Sequence, residues 1–382
     1  MQNSSSGRIV VSVLAFYAIV LAAYSVGYTT NHVIDVTSFV HAGVRQCLTF
    51  CDGLYIYPDS GYDGQMYYLM ARHPLDYKML KNIISVNQVA YRYQRIMYPL
   101  LVRFLSLGVA SLIPYIMLAA NLAFVALSAV VYQRLLAANG RPSILSLCAP
   151  LVIGLFVSVL LDLVEPMWFF LVLAGYYLLK AGRDRLSVIV FSVAFLTKET
   201  TFLILAPAVV YFLLKKETGR AALFASPFVV FLAWQLLIYS ATGIFPFIDS
   251  VTHSANTLWI VESVGGTLGS GSPSMLPVYV ILISCLLSIP VAAVAFRRDI
   301  TPASTLFLAN ALFILPFMLK QIQWEDLFAA SRSALPLVST MLLYLAESGD
   351  RKTWYVLLPF VAMTFLLSGF YLIKALSTLA LS

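Results

Sequence analysis

Apolar residues run in long stretches along most of this chain, and polar residues gather in the gaps between them. The stretches are Ile9–Tyr28, Ser111–Leu136, Ser143–Leu161, Pro166–Leu179, Leu186–Leu196, Thr201–Leu214, Ala221–Tyr239, Leu276–Phe296, Pro302–Leu319, Ala334–Ala346 and Trp354–Ile373. Recurrent apolar runs of near-spanning length predict membrane helices. The expectation is an all-α integral membrane protein, one transmembrane domain over residues 1–382 with about 11 spans (10–12). One gap breaks the rhythm: residues 29–97 form a loop of roughly 69 residues, and loops so long without a role are uncommon. Within it Ser38–Phe50, Gly64–Leu80 and Arg95–Leu107 carry enough apolar pattern to predict short helices lying along the membrane interface.

Composition agrees. Hydrophobic residues make up 61% of the 382 and charged residues 11%, with a mean hydropathy of +0.88, which leaves no room for a sizeable soluble domain. Ile9–Tyr28 is longer than a usual signal-peptide core, so it is expected to be retained as the first helix. The net charge of +7 is not clustered as a nucleic-acid footprint would be; basic residues sit between apolar runs and report topology instead.

Eleven spans put the N-terminus in the cytoplasm and the C-terminus outside. Thirteen of the 24 basic residues then fall inside: Arg8, Arg134, Arg141, Lys180, Arg183, Arg185, Lys215, Lys216, Arg220, Arg297, Arg298, Arg351 and Lys352. Twelve of the 17 acidic residues fall outside. Leu186–Leu214 can also be drawn as one long span, but that choice would move seven of those basic residues outward. The charges favour a short hairpin with Thr197-Lys198-Glu199-Thr200 at its tip, partway into the membrane on the outer side and lining a wet cavity.

The long loop carries Gly61-Tyr62-Asp63-Gly64-Gln65-Met66-Tyr67-Tyr68. A carboxylate at an interface suits a general base, the flanking glycines permit a tight turn and close approach, the tyrosines offer flat faces to a sugar, and Gln65 can bond a hydroxyl. The alternative is a plain turn. Tyr91-Arg92-Tyr93-Gln94-Arg95 can grip a lipid phosphate through forked hydrogen bonds, or merely anchor to headgroups. Asp162, Glu165, Lys198 and Glu199 would meet on the outer side. They would act as a structural ion pair, a phosphate-neutralising set, or oxygen ligands that join Asp63 around a divalent cation. Asp249, His253, Glu262, Trp324, Glu325, Asp326 and Arg332 complete the outer loops, and Gly265–Pro273 is a candidate gate. The histidines lack metal-ligand spacing. Cys47 and Cys51 can pair if their loop faces an oxidising compartment, although their spacing of four suits free thiols equally well.

Gly61–Arg72 followed by Tyr91–Leu101 resembles the bacterial GT-C membrane glycosyltransferases and, more distantly, the mannosyltransferases of glycolipid-anchor assembly. Asp162-Leu163-Val164-Glu165-Pro166 and Leu196-Thr197-Lys198-Glu199-Thr200 extend the likeness, which covers roughly residues 62–214. The resemblance implies a GT-C fold with Asp63 as catalytic base and an inverting transfer from a polyprenyl-phosphate-linked sugar at the outer face of a bacterial inner membrane. In a eukaryote the same face would meet the ER lumen. The acceptor would be a hydroxyl on a glycan, lipid or protein, and the surroundings membrane lipids. Tyr62, Gln65, Arg92, Arg95, Asp162, Glu165, Lys198 and Glu199 are then candidate substrate contacts. No acidic pair adjoins Asp63, which argues against metal dependence, so no cofactor is assigned and a divalent cation is only a further option; Asp52 and Asp59 are alternative bases. A transporter or flippase of lipid-linked sugar is the rival reading; it lacks the repeats and matched broken spans expected of one. A non-catalytic assembly subunit is a third.

Overall fold

The computed structural model describes residues 2–44, 51, 53–77, 89–248, 275–317 and 326–381. Among these residues the architecture is helical, with one two-residue parallel strand pair, Ala42–Gly43 on Ile56–Tyr57. Helices are numbered here in chain order. α1 is Gln2–Tyr28, α2 Asp63–Arg72, α3 Val89–Tyr93, α4 Met97–Leu105 and α5 Ile113–Ala138. Next come α6 (Ile153–Leu160), α7 (Glu165–Lys180), α8 (Asp184–Thr197), α9 (Phe202–Leu214) and α10 (Thr218–Thr242). The chain closes with α11 (Leu276–Arg298), α12 (Pro302–Phe317), α13 (Leu327–Ser333), α14 (Leu335–Ser348) and α15 (Arg351–Leu381).

Each apolar run of the sequence has a helix beneath it, but the helices differ in reach. Five (α1, α5, α10, α11 and α15) are long and apolar enough to cross a bilayer, and α13 with α14 make a sixth if that pair, bent by 48°, is one span. The others are shorter, and Ser143–Leu161 divides into a 3-10 turn (Ser143–Cys148) and the eight-residue α6. All of α6 is buried, as is α14 from Leu335 to Ala346, so these short helices form the centre. The long helices surround them and expose large apolar side chains such as Val229, Leu237, Leu287, Leu366 and Ile373. Apolar surface on this scale is compatible with a membrane-embedded protein and costly in water.

Leu186–Leu214 is broken. α8 ends at Thr197 and α9 starts at Phe202, and the turn is pinned where Thr201 Oγ1 donates to Lys198 O at 2.8 Å and accepts from Trp168 Nε1 at 2.9 Å. Aromatic contacts give the directions: Phe191 and Phe212 both meet Phe224 of α10, while Phe195 and Phe202 both meet Phe228. Going up α10, α8 ascends and α9 descends, so the two form a hairpin.

Polar contacts define the two ends of the bundle. At one, Arg220 pairs with Asp184 and Glu217 (2.7 Å each), and Glu347 binds Lys180 at 2.9 Å and the Tyr176 hydroxyl at 2.5 Å. At the other lie α2, α3, the Lys198–Thr201 turn and α13. Of the interfacial helices expected in the long loop, α4 forms inside its stretch, while α2 starts at Asp63 and stops at Arg72, short of Leu80. The described part of Ser38–Phe50 is instead a 3-10 turn followed by the strand Ala42–Gly43; Arg45–Phe50 lie outside the described residues.

Candidate active site

Asp63 opens α2, and one close contact seats that helix. A Cβ on Gly64 would lie 2.2 Å from Leu161 O and 2.7 Å from Val40 O, so only glycine lets the first turn rest on the end of α6. The neighbour that Gly64 admits is therefore protein backbone. Gly61 supplies the preceding turn at φ +73°. Gln65 is buried, and its carboxamide accepts from Gly43 N and donates to Ser60 O (3.1 Å each). It ties the motif to the strand pair, which corrects its expected role as a substrate contact. Tyr67 and Tyr68 are also core residues and present no face to a sugar. Tyr62 is half-buried with the Arg332 guanidinium 5.2 Å above its ring.

Around Asp63 the side chains form a chain of alternating charge. Arg92 Nη1 donates to Asp63 Oδ1 at 2.5 Å, and Arg332 Nη2 reaches Oδ2 at 3.4 Å. Arg332 also grips Glu165 Oε1 through Nε (2.9 Å) and Nη2 (2.8 Å), and Lys198 Nζ donates to the same oxygen at 2.8 Å. Glu199 takes a forked pair from Arg95, Nε to Oε2 at 2.8 Å and Nη2 to Oε1 at 2.5 Å. Arg95 further donates to the Tyr67 and Tyr91 hydroxyls, and Tyr91 donates to Glu199. α10 holds α3 in place: Trp234 Nε1 donates to Tyr93 O at 3.0 Å and Gln235 to Gln94 at 3.1 Å.

Exposure ranks the members. Asp63 and Glu199 side chains are 25% exposed and Arg92 16%, whereas Arg332 (11%), Lys198 (7%), Arg95 (6%) and Glu165 (0%) lie deeper. Burial pushes the Asp63 carboxyl up, but Arg92, Arg332 and Arg95 outweigh it and hold the group well below the usual carboxylate range. Burial acts upward on Glu199 as well, and Arg95 reverses it. The outcome is an ionised, reachable carboxylate in a cluster of four cations (Arg92, Arg95, Lys198, Arg332) and three carboxylates (Asp63, Glu165, Glu199).

Asp63, Arg92, Arg95, Glu165, Lys198 and Glu199 are thus brought together. Asp162 stands apart: it is fully buried at φ 48° and accepts from Asn121 Nδ2 at 3.3 Å. Among the described residues no group of three acidic, histidine or cysteine side chains could hold a metal ion; Asp63, Glu165 and Glu199 face cations instead, so the donor set does not fit a divalent cation. Arg332 is the member that the sequence left unassigned; an isolated arginine in a later loop carries no local signal. Its position depends on Gly154 in α6, where a Cβ would lie 2.5 Å from Ser331 O, so α13 packs directly on α6. Asp59 sits nearby but pairs with His41 at 3.1 Å and caps Gly61 N at 2.7 Å. Cys51 is disulfide-bonded. Cys47, Asp52, Asp249, His253, Glu262, Gly265–Pro273, Trp324 and Glu325 lie outside the described residues. No family model matches the chain, and no curated protein is significantly similar to it.

Proposed function

We propose that this chain is a GT-C-type membrane glycosyltransferase that moves a sugar from a polyprenyl-phosphate donor to a hydroxyl acceptor on the outer face of the membrane, with Asp63 as base. The observation that carries this reading is the part-exposed Asp63 carboxylate beside Arg92, at the end of an apolar bundle opposite its basic end. In the reaction the acceptor O–H proton goes to Asp63 and the acceptor oxygen bonds to the anomeric carbon. The bond from that carbon to the phosphate oxygen breaks, its electron pair leaves with the phosphate, and the centre inverts. Arginines beside the carboxylate supply donors for the charge that gathers on the leaving phosphate.

Eleven crossings, N-terminus inside and C-terminus outside, belong to the same proposal. The α8–α9 hairpin supports them, as do the thirteen basic residues assigned to the end remote from Asp63. The Cys51 disulfide suits an oxidising periplasmic or exterior space. The enzyme would then reside in a bacterial plasma membrane.

The test is turnover of a panel of polyprenyl-phosphate sugars by wild type and Asp63→Asn in nanodiscs. Wild type is expected to transfer or slowly hydrolyse one donor, and the folded variant to lose at least about a hundredfold. Equal rates would move the base to Asp59, Asp52 or Glu165. A folded wild type that turns over no donor would overturn the reading in favour of a transporter or assembly subunit.

A further inference from the structure

Arg92 in α3 and Arg95 in the turn that follows it are three residues apart, yet the protein uses them very differently. Arg95 engages all three of its side-chain nitrogens, with Glu199, Tyr67 and Tyr91 as partners, and is 6% exposed. Among the described residues Arg92 engages one nitrogen: Nη1 meets Asp63, while its buried Nε finds no partner there. Arg92 is also the more exposed of the two, its side chain at 16%. Arg332 is bound to the fully buried Glu165 through two nitrogens, with its contact to Asp63 the longer one at 3.4 Å. Of the two arginines on Asp63, only Arg92 can leave without stripping a buried carboxylate.

We propose that Arg92 is an exchange residue: it pairs with Asp63 before the donor arrives and transfers to the donor's phosphate, leaving Asp63 with the longer Arg332 contact and a lone pair for the acceptor hydroxyl. The inference rests on the lipid-phosphate reading of the site. A planar guanidinium with unused donors suits a phosphate, where it can bind two oxygens at once. The exchange resolves a conflict in the resting geometry. Arg92 is the leading cation that lowers Asp63's proton affinity against burial, and a carboxylate so clamped is a weak base. Moving that cation onto the phosphate removes the strongest of the charges that lower Asp63's proton affinity, so the carboxylate becomes a better base once a substrate is in place, with Arg332 still beside it. Arg95, saturated by protein groups, stays as scaffold; this separates two residues that the sequence motif presents as equivalent.

The experiment measures binding of farnesyl phosphate, a prenyl phosphate without a sugar, to the full chain in nanodiscs. If Asp63 competes for Arg92, removing its charge frees the arginine. Asp63→Asn should then bind roughly tenfold tighter than wild type, and Arg92→Gln roughly tenfold weaker. The double variant should bind as weakly as Arg92→Gln. Asp63→Ser, measured alongside, serves if the asparagine variant does not fold. Unchanged affinity in the folded Asp63 variants overturns the exchange, as does tightening that persists without Arg92. Absence of binding to wild type and both Asp63 variants overturns it too. Sugar turnover by wild type in the face of such a result would leave the glycosyltransferase reading standing, with Arg92 as a fixed clamp.

Discussion

At the scale of single residues, the site is a balance between desolvation and charge. Glu165 is the sharpest case: its Oε1 receives Arg332 and Lys198 while Oε2 is buried without a partner among the described residues. Replacing Glu165 by Gln leaves both cations buried without their carboxylate, and the expected loss is about 3–5 kcal/mol of stability. Thermal unfolding in detergent checks it, and Glu165→Gln in a Lys198→Met background should regain part of the loss. Asp63 gives a pH prediction. Its folded pKa lies below its unfolded value, so its ion pairs add stability that is present above about pH 4 and lost as pH falls towards the folded value. The melting temperature of wild type should fall from about pH 4 downward. Asp63→Asn should show a shallower fall there, and parallel curves would refute the assignment.

At the scale of elements, two close backbone contacts converge on α6. Gly64 lets α2 rest on its C-terminal end, and Gly154 lets α13 lie against its first turn. Together they bring Asp63 and Arg332 to one place from positions far apart in the chain. Gly64→Ala forces its new methyl into Leu161 O, and the cost is expected at about 1–3 kcal/mol with displacement of α2. Loss of sugar turnover in a Gly64→Ala protein that still unfolds cooperatively would report that displacement; full activity would show that α2 relaxes without moving Asp63. The α8–α9 break serves the same end, because its turn supplies Lys198 and Glu199 at the level of α2 and α3.

At the scale of the molecule, the short helices occupy the centre and the long apolar ones the rim. Short helices tolerate a membrane interior only where neighbours shield their ends, and here ion pairs tie the ends of α7, α8 and α9 to one another, to Arg95 and to α13. Under the eleven-span topology, alkaline phosphatase fused after Ser382 should be active and a green fluorescent protein fused there dark. A cysteine at Lys216 should label only after the inner face is opened. The reverse pattern would invert the orientation and place Asp63 in the cytoplasm.

Hydropathy by itself determined where the helices of the bundle lie, because each needs a run of apolar side chains; in the polar gap of residues 29–97 it was a poorer guide, missing α3 and predicting a helix from Ser38 where a 3-10 turn and a strand form. The local motif singled out Asp63, arginines interleaved with aromatics pointed to Arg92 and Arg95, and ionisable residues at the ends of apolar runs to Asp162, Glu165, Lys198 and Glu199. Only the tertiary structure decided which of these residues meet which. Gln65 and Tyr67 read as ligand contacts in one dimension, yet packing turned them to backbone and to Arg95. Arg332 carries no signal in its own segment and became part of the site through the Gly154 contact. Span number is likewise tertiary. An apolar run records that a segment is shielded from water, and neighbouring protein shields it as well as lipid does.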